Sequence, residues 1–311
     1  MKRKSWKIRR SRGEKIFDVC LIISMIVMAF VMLYPFWYIL IIALNDGDDA
    51  RLGGIYFWPR MFTLDNFRFV LNYPGLWRAA WVTVLRAVTG SSLNVLVCLM
   101  AAYALSKRYL RGRKFIIFFL LVPLFFGGTT VSRFIVMAHL GLINNFLVFI
   151  IPGAFSYFTA VILRSFIDNL PEGLQESAMI DGAGHTRIFI QIIMPLMKAS
   201  IAAFMFFGVV HHWLDIQANV LYITDRSLWV LQFLMERVLR AGQATVIIDV
   251  NSPMAAQMQI ERLAQGQAFR PPTQQVISMA IMVVVTFPML VIYPFFQRFF
   301  VKGTITGAIK A

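Results

Sequence analysis

The side chains with the most chemistry to offer lie together near the end of an apolar stretch: His211-His212-Trp213, then Asp215, Gln217 and Asn219. A carboxylate beside two imidazoles can relay protons, because imidazole titrates near neutral pH. The same groups can instead form the polar wall of a translocation cavity, or hydrogen-bond neighbouring helices to one another inside a membrane. All three readings stay open at this level. Two histidines without further ligands do not make a metal site. Arg86 and Arg133 are the other charges set in apolar sequence. Arg86 lies about eight residues into its stretch, within reach of outward snorkelling to the headgroups.

A second constellation is acidic and helical. Asp168-Asn169-Leu170-Pro171-Glu172-Gly173-Leu174-Gln175-Glu176-Ser177-Ala178-Met179-Ile180-Asp181-Gly182-Ala183-Gly184-His185 leads on to Ile192-Ile193-Met194-Pro195. Pro171 suits a first helical turn, and Glu172 there complements the helix dipole. Leu174, Ala178 and Met179 are spaced for one face, alternating with Glu172, Gln175 and Glu176. Gly182 and Gly184 permit a sharp corner. A second helix is expected from Thr186 to Met194, ended by Pro195. Nucleotide chemistry is missing: a phosphate-binding loop needs Gly-x-x-x-x-Gly-Lys-[Ser/Thr], and Gly-Lys never occurs. No nucleophile–base pair or metal cluster suggests a membrane enzyme. Cys20 and Cys98 lie in apolar segments, where a thiol packs as a small hydrophobe.

These groups must be positioned by membrane helices. The 311 residues are 59% hydrophobic and 14% charged, with a mean hydropathy of +0.70, which is too apolar for a soluble domain. About 20 apolar residues cross a bilayer as a helix, and on that ruler six spans fall at 16–44, 79–105, 115–137, 146–166, 197–221 and 274–297. The second is diluted by Arg86, Ser91, Ser92 and Asn94, and Gly127-Gly128 distorts the third. The first is too long for a secretory h-region and no small-x-small cleavage site follows it, so it reads as an uncleaved span.

Loop charge sets the orientation. The net charge of +15 is gathered in short clusters beside apolar runs, where membrane topology accounts for it better than nucleic-acid binding does. The tail 1–15, the loop Lys107–Lys114, and the end with Arg298, Lys302 and Lys310 are basic and fall on one side of a six-span chain, which the positive-inside rule makes cytoplasmic. Segments 45–78 (four acids, four bases) and 222–273 (four acids, five bases) carry no such bias and fall outside. In the first, Phe57-Trp58-Pro59-Arg60 is extended or turn-forming. In the second, Leu228–Val238 and Ala255–Leu263 suit short surface helices, closed by Pro271-Pro272. The expected organisation is a basic tail over 1–15, one transmembrane domain over 16–297 and a cytoplasmic tail over 298–311.

The pattern Glu176-Ser177-Ala178, then Gly182, then Ile192-x-Met194-Pro195 resembles the EAA loop of binding-protein-dependent ABC importer permeases. The usual triplet there is Glu-Ala-Ala and the usual ending Leu-Pro, so Ser177 and Met194 are departures. Asp181-Gly182-Ala183 is typical of the sugar-importing branch, and the ending Tyr293–Gly303 looks like permeases for complex sugars or lipo-oligosaccharides. The resemblance implies an all-α, type I importer permease fold with both termini cytoplasmic. It implies a short coupling helix seated in a cleft of a separate ATPase, with Glu172, Gln175, Glu176, Ser177, Ala178, Asp181, Gly182 and Ala183 at that contact. The implied partners are a homologous second permease, a cytoplasmic ABC ATPase dimer that holds the ATP and Mg, and an external or periplasmic solute-binding protein. The implied location is the bacterial inner membrane, and the implied cargo an oligosaccharide. Alginate-type acidic saccharides are one option. The alternative from a different class is an ion- or proton-coupled secondary transporter using Asp215, His211 and His212.

Overall fold

A computed structural model of the chain describes residues 12–126, 128–244 and 273–308, with backbone alone at Arg12, Glu172, 241–244 and 298–308. Among the described residues the structure is helical, apart from one bridge between Asn45 and Phe62. Three helices are long and apolar enough to cross a membrane, and three bent helix pairs bring the number to as many as six. The chain is therefore a multi-pass membrane protein. The described residues divide into two compact units, 12–70 with 273–284, and 71–244 with 285–308.

The first unit is built on α1 (Arg12–Ala43), whose apolar side chains are exposed along most of its length. A helix hydrophobic all round suits lipid or a neighbouring membrane helix rather than water. Its end is buried: Ile41 and Ile42 pack with Ala50 of α2 (Gly47–Arg51), Ile55 and Val276. The acid-rich turn after α1 is a knot rather than a loose loop. Asn45, fully buried, donates to Asp49 Oδ2 (2.9 Å) and accepts from Met61 N (2.9 Å), while Asn66 of α3 (Asp65–Leu71) donates to Ala43 O at 2.8 Å. Burying these amides is tolerable because their hydrogen bonds are made.

The second unit is organised around α4 (Leu76–Ser106), the expected second span lengthened at both ends. Its polar residues have structural causes. Thr83, Arg86 and Ser91 are buried, and Asn94 donates to Gly153 O at 2.7 Å. The helices α5 (Arg113–Phe125) and α6 (Thr130–His139) follow, separated at the expected glycines, with Thr129 capping α6 through Ser132 N. The fourth expected span is only half α-helical: 3-10 turns over Phe146–Gly153 precede α7 (Tyr157–Asp168) at a bend of 51°. Small residues bring α4 against α11 (Lys198–Leu214). A Cβ on Gly208 would lie 2.8 Å from Ser91 Oγ, and one on Gly90 would collide with the His212 ring. Without a hydrophobic driving force in lipid, such close approach is how membrane helices gain contact.

The fifth span ends earlier than expected, at Leu214, because Asp215 is extended; α12 (Gln217–Tyr222) then starts afresh. The expected helix at Leu228–Val238 is displaced. A 3-10 turn occupies Arg226–Leu228, and α13 runs over Leu231–Ala244, tied to α4 by Leu231 N donating to Thr83 Oγ1 at 2.8 Å. The expected helix Ala255–Leu263 and Pro271-Pro272 lie outside the described residues. The last helix, α14 (Gln274–Ala308), continues past the expected end at 297 and carries Pro288 and Pro294.

Candidate functional site

The acidic segment forms α8 (Glu172–Ile180), directly after Pro171. Its end has the geometry of a glycine-capped Schellman turn: Gly182, at φ +78°, donates to Met179 O at 3.0 Å, and Ala183 N donates to Ala178 O at 2.9 Å. This motif pairs two of the last carbonyls and brings Ala178 against Ala183. Both alanines pack onto a core of Cys98, Leu99, Ala102 and Tyr103 from α4, Leu163 and Ile167 from α7, and Ile188, Phe189 and Ile193 beyond the corner. Both are half-buried, so each turns one side to this core and keeps the rest exposed.

The packed face expected from Leu174, Ala178 and Met179 is only partly realised. Ala178 is half-buried, but Leu174 and Met179 are 45% and 39% exposed and Ile180 is 86% exposed. Glu176, Ser177 and Asp181 are exposed as well. The side chain of Glu172 lies outside the described residues. The result is a short helix anchored along one edge, presenting acids and bare apolar side chains together on its free side.

Two groups that sequence reasoning missed hold this helix and the segment after its corner in place. Lys107, counted above only as a topology charge, donates to Gln175 Oε1 and lies 4.5 Å from the Tyr103 ring centroid; burial pushes its ammonium pKa down. His185 sits between the hydroxyls of Tyr103 (3.4 Å) and Tyr109 (3.2 Å). Proximity of the 103–109 and 175–185 segments has no local sequence signal. After the corner, the expected helix from Thr186 to Met194 does not stop at Pro195. It runs as α9 (His185–Ile188), a π-turn over Phe189–Ile193 and α10 (Met194–Leu196). The wider π-turn accommodates a proline that lacks an N–H and would crowd the preceding turn of a regular helix.

The polar group near the end of α11 is knitted to α4. Arg86 is 1% exposed, so the snorkelling expected of it does not occur. Its guanidinium pairs with Asp215 Oδ2, donates to Asp215 O at 2.8 Å and lies 4.6 Å from the Phe149 ring centroid. Asp215 Oδ1 in turn accepts from Gln217 N (2.9 Å) and Ala218 N. A buried arginine is stable only with such a partner. Asn219 is buried and accepts from Val230 N at 3.2 Å; His212 is buried beside Gly90; His211 and Gln217 are exposed. Asp215, the carboxylate that a proton-coupled carrier would use, is committed to Arg86.

No family model matches the sequence. Curated relatives do. The chain is 30% identical to the polygalacturonan/rhamnogalacturonan transport system permease protein YtcP of Bacillus subtilis (strain 168), over 96% of this chain and 99% of that one. It is 30% identical to the protein LplC of the same organism, over 97% and 98%.

The chain belongs to the family of sugar ABC transporter permeases.

The permease is also 25% identical to the arabinooligosaccharides transport system permease protein AraQ of Halalkalibacterium halodurans, over 97% of this chain and 99% of that one. Its fold matches a chain in the crystal structure of a bacterial ABC transporter involved in import of the acidic polysaccharide alginate, with TM-score 0.79, 22% identity and coverage of 94% and 100%. The permease is thus a non-catalytic membrane component of an ABC importer for sugars.

Proposed function

We propose that this permease couples ATP hydrolysis in separate cytoplasmic subunits to import of an oligosaccharide, with α8 as the coupling helix. The observation that carries the reading is the free side of α8, where exposed Glu176 and Asp181 lie among exposed Leu174, Met179 and Ile180. Helices that merely rest on a bilayer carry Lys and Arg on their polar face; an acidic one is repelled by anionic lipid. Acids rimming apolar anchors suit a cleft with basic walls.

In this reading six spans place both termini inside, in the cytoplasmic membrane of a bacterium. The single transmembrane domain spans 16–297, flanked by the tails 1–15 and 298–311. A homologous second permease completes the pathway, an ATPase dimer binds ATP and Mg, and an external solute-binding protein delivers the sugar. Closure of the ATPases pulls on α8. The Schellman corner and the Ile188–Ile193 segment pass that movement to α4 and α7, against which they pack. The polar residues His212, Asp215, Gln217 and Asn219 then stiffen a helix junction beside the pathway. An oligosaccharide cargo is supported by the relatives named for polygalacturonan/rhamnogalacturonan and arabinooligosaccharide transport.

The test is charge reversal, Glu176→Lys, in the complex purified with its partners. Weakening of ATPase docking by about tenfold or more is expected, since like charges then face each other in a contact. Receptor-stimulated ATP hydrolysis should fall with it, while insertion and pairing with the second permease persist. Wild-type docking and stimulation in this variant would remove α8 as the coupling element.

A further inference from the structure

A cavity of about 480 Å³ in the second unit is lined by Tyr73 just before α4, Arg78 in its first turn, Arg226 and Trp229 around the 3-10 turn, and Leu234 and Arg237 of α13. That volume is in the range of small-molecule sites. Its floor is apolar, with Leu234 and Ala79 buried. Its rim holds three exposed guanidinium groups. Two of them are drawn to one ring: the Arg226 and Arg237 Cζ atoms lie 5.7 Å and 5.6 Å from the Trp229 centroid.

The positive charge is poorly answered. Among the described residues, none of the three arginines has a carboxylate within ion-pair distance. Asp225 is the nearest acid in sequence, and its oxygens are taken by Ser227 N (2.8 Å) and Ser227 Oγ (2.6 Å). Those bonds, with a smaller contribution from Arg78, hold its carboxyl below the usual range, so it stays an anion. Glu236 pairs with Arg240. Behind Arg78 lies the first turn of a 31-residue helix that has no side-chain cap and no acid. Its dipole adds positive potential where a cation already sits. Asp225 offsets only part of this charge, so the arginines around the concavity still repel one another and an added anion would relieve them.

We infer that this cavity is a binding subsite for a carboxylate-bearing saccharide of the uronate kind. The planar guanidinium fork matches a carboxylate in two parallel hydrogen bonds. Tyr73, also in the lining, supplies an aromatic surface for the C–H face of a pyranose, which a bare phosphate would not use. The cavity is larger than one inorganic anion needs. The inference rests on the importer reading, in which segments 45–78 and 222–273 are external, so that the subsite lies where sugar arrives. It deepens that reading by naming the residues of this chain that would select acidic over neutral sugars.

The probes are tri-galacturonate and its carboxyl-reduced neutral counterpart. Binding is measured to the complete wild-type transporter in nanodiscs of zwitterionic lipid, without receptor, by ligand-observed NMR titration. The acidic probe should bind at least about tenfold more tightly, as one charge-assisted contact provides, and lose that advantage in high salt. Arg226→Gln/Arg237→Gln should abolish the difference while partner co-purification and the affinity for the solute-binding protein stay unchanged. Equal binding of both probes to wild type, or an unchanged preference in the double variant, would overturn the inference. So would loss of receptor affinity in that variant, which would assign the arginines to carboxylates of the receptor. The importer reading fails separately, if no ATPase accompanies the wild-type chain, and the titration remains interpretable in that case.

Discussion

Replacing Gly182 with valine separates backbone geometry from packing at the coupling helix. Gly182 sits at φ +78°, and a Cβ built there meets no atom within 4 Å. The whole cost is therefore torsional, about 1–2 kcal/mol for an L-residue held in the left-handed region, with β-branched side chains at the upper end. If the corner opens to relieve it, the bonds from Gly182 N to Met179 O and Ala183 N to Ala178 O are lost together, so relaxation offers no cheap escape. A penalty of that size shifts the formed corner relative to open forms by a factor of about 5–30. The assay is ATPase co-purified with the complex, together with receptor-stimulated hydrolysis. Both should fall in the order Gly182, Gly182→Asn, Gly182→Ala, Gly182→Val, with asparagine close to wild type because it adopts the left-handed conformation readily. Valine behaving as wild type would refute the argument. Asparagine falling as far as valine would also refute it, since side-chain bulk at the partner surface would then be the cause.

Two further outcomes follow from the membrane interior and the loops. Asp215→Asn should lower stability by about 3–5 kcal/mol, because it strands a buried guanidinium. Arg86→Met should cost less, as Asp215 is 22% exposed and can hydrate. Arg86→Met/Asp215→Leu should recover most of the loss in thermal unfolding of detergent-solubilised protein, and additive losses would show that the pair is not the source. Reporter fusions after Arg111 and near Gly184 should read cytoplasmic, and those near Asn66 and Gln257 external; a cytoplasmic reading at Gln257 would break the six-span arrangement.

Much of the molecule was legible in its sequence because membrane crossing is dictated by local composition. A run such as Ile16–Leu44 has no favourable alternative to an apolar helix in lipid, and α1 shows it. The acidic corner was legible for a similar reason. Pro171, the Glu176 triplet and Gly182 each act within a few residues of themselves, through first-turn geometry and the left-handed cap. The π-turn before Pro195 was not foreseen, because proline usually ends a helix and only the packing of Ile188, Phe189 and Ile193 carries this one through.

What the sequence determined by itself was therefore the membrane class, the apolar spans and the short acidic helix with its glycine corner, all consequences of neighbours in the chain. What only the tertiary structure decided was pairing across distance. Arg86 could have reached for headgroups, and Asp215 could have faced a pathway. Burial of Arg86 is compensated by the charge of Asp215, 129 residues away. Ala178 and Ala183 read as small residues suited to any close contact, and only the core of α4 and α7 fixed which way they face. The arginines at 78, 226 and 237 are separate surface charges in sequence and share one cavity only once α13 lies beside the start of α4. Side-chain chemistry is written locally, but burial and charge balance depend on which distant segments exclude water together, and that is a property of the packed chain.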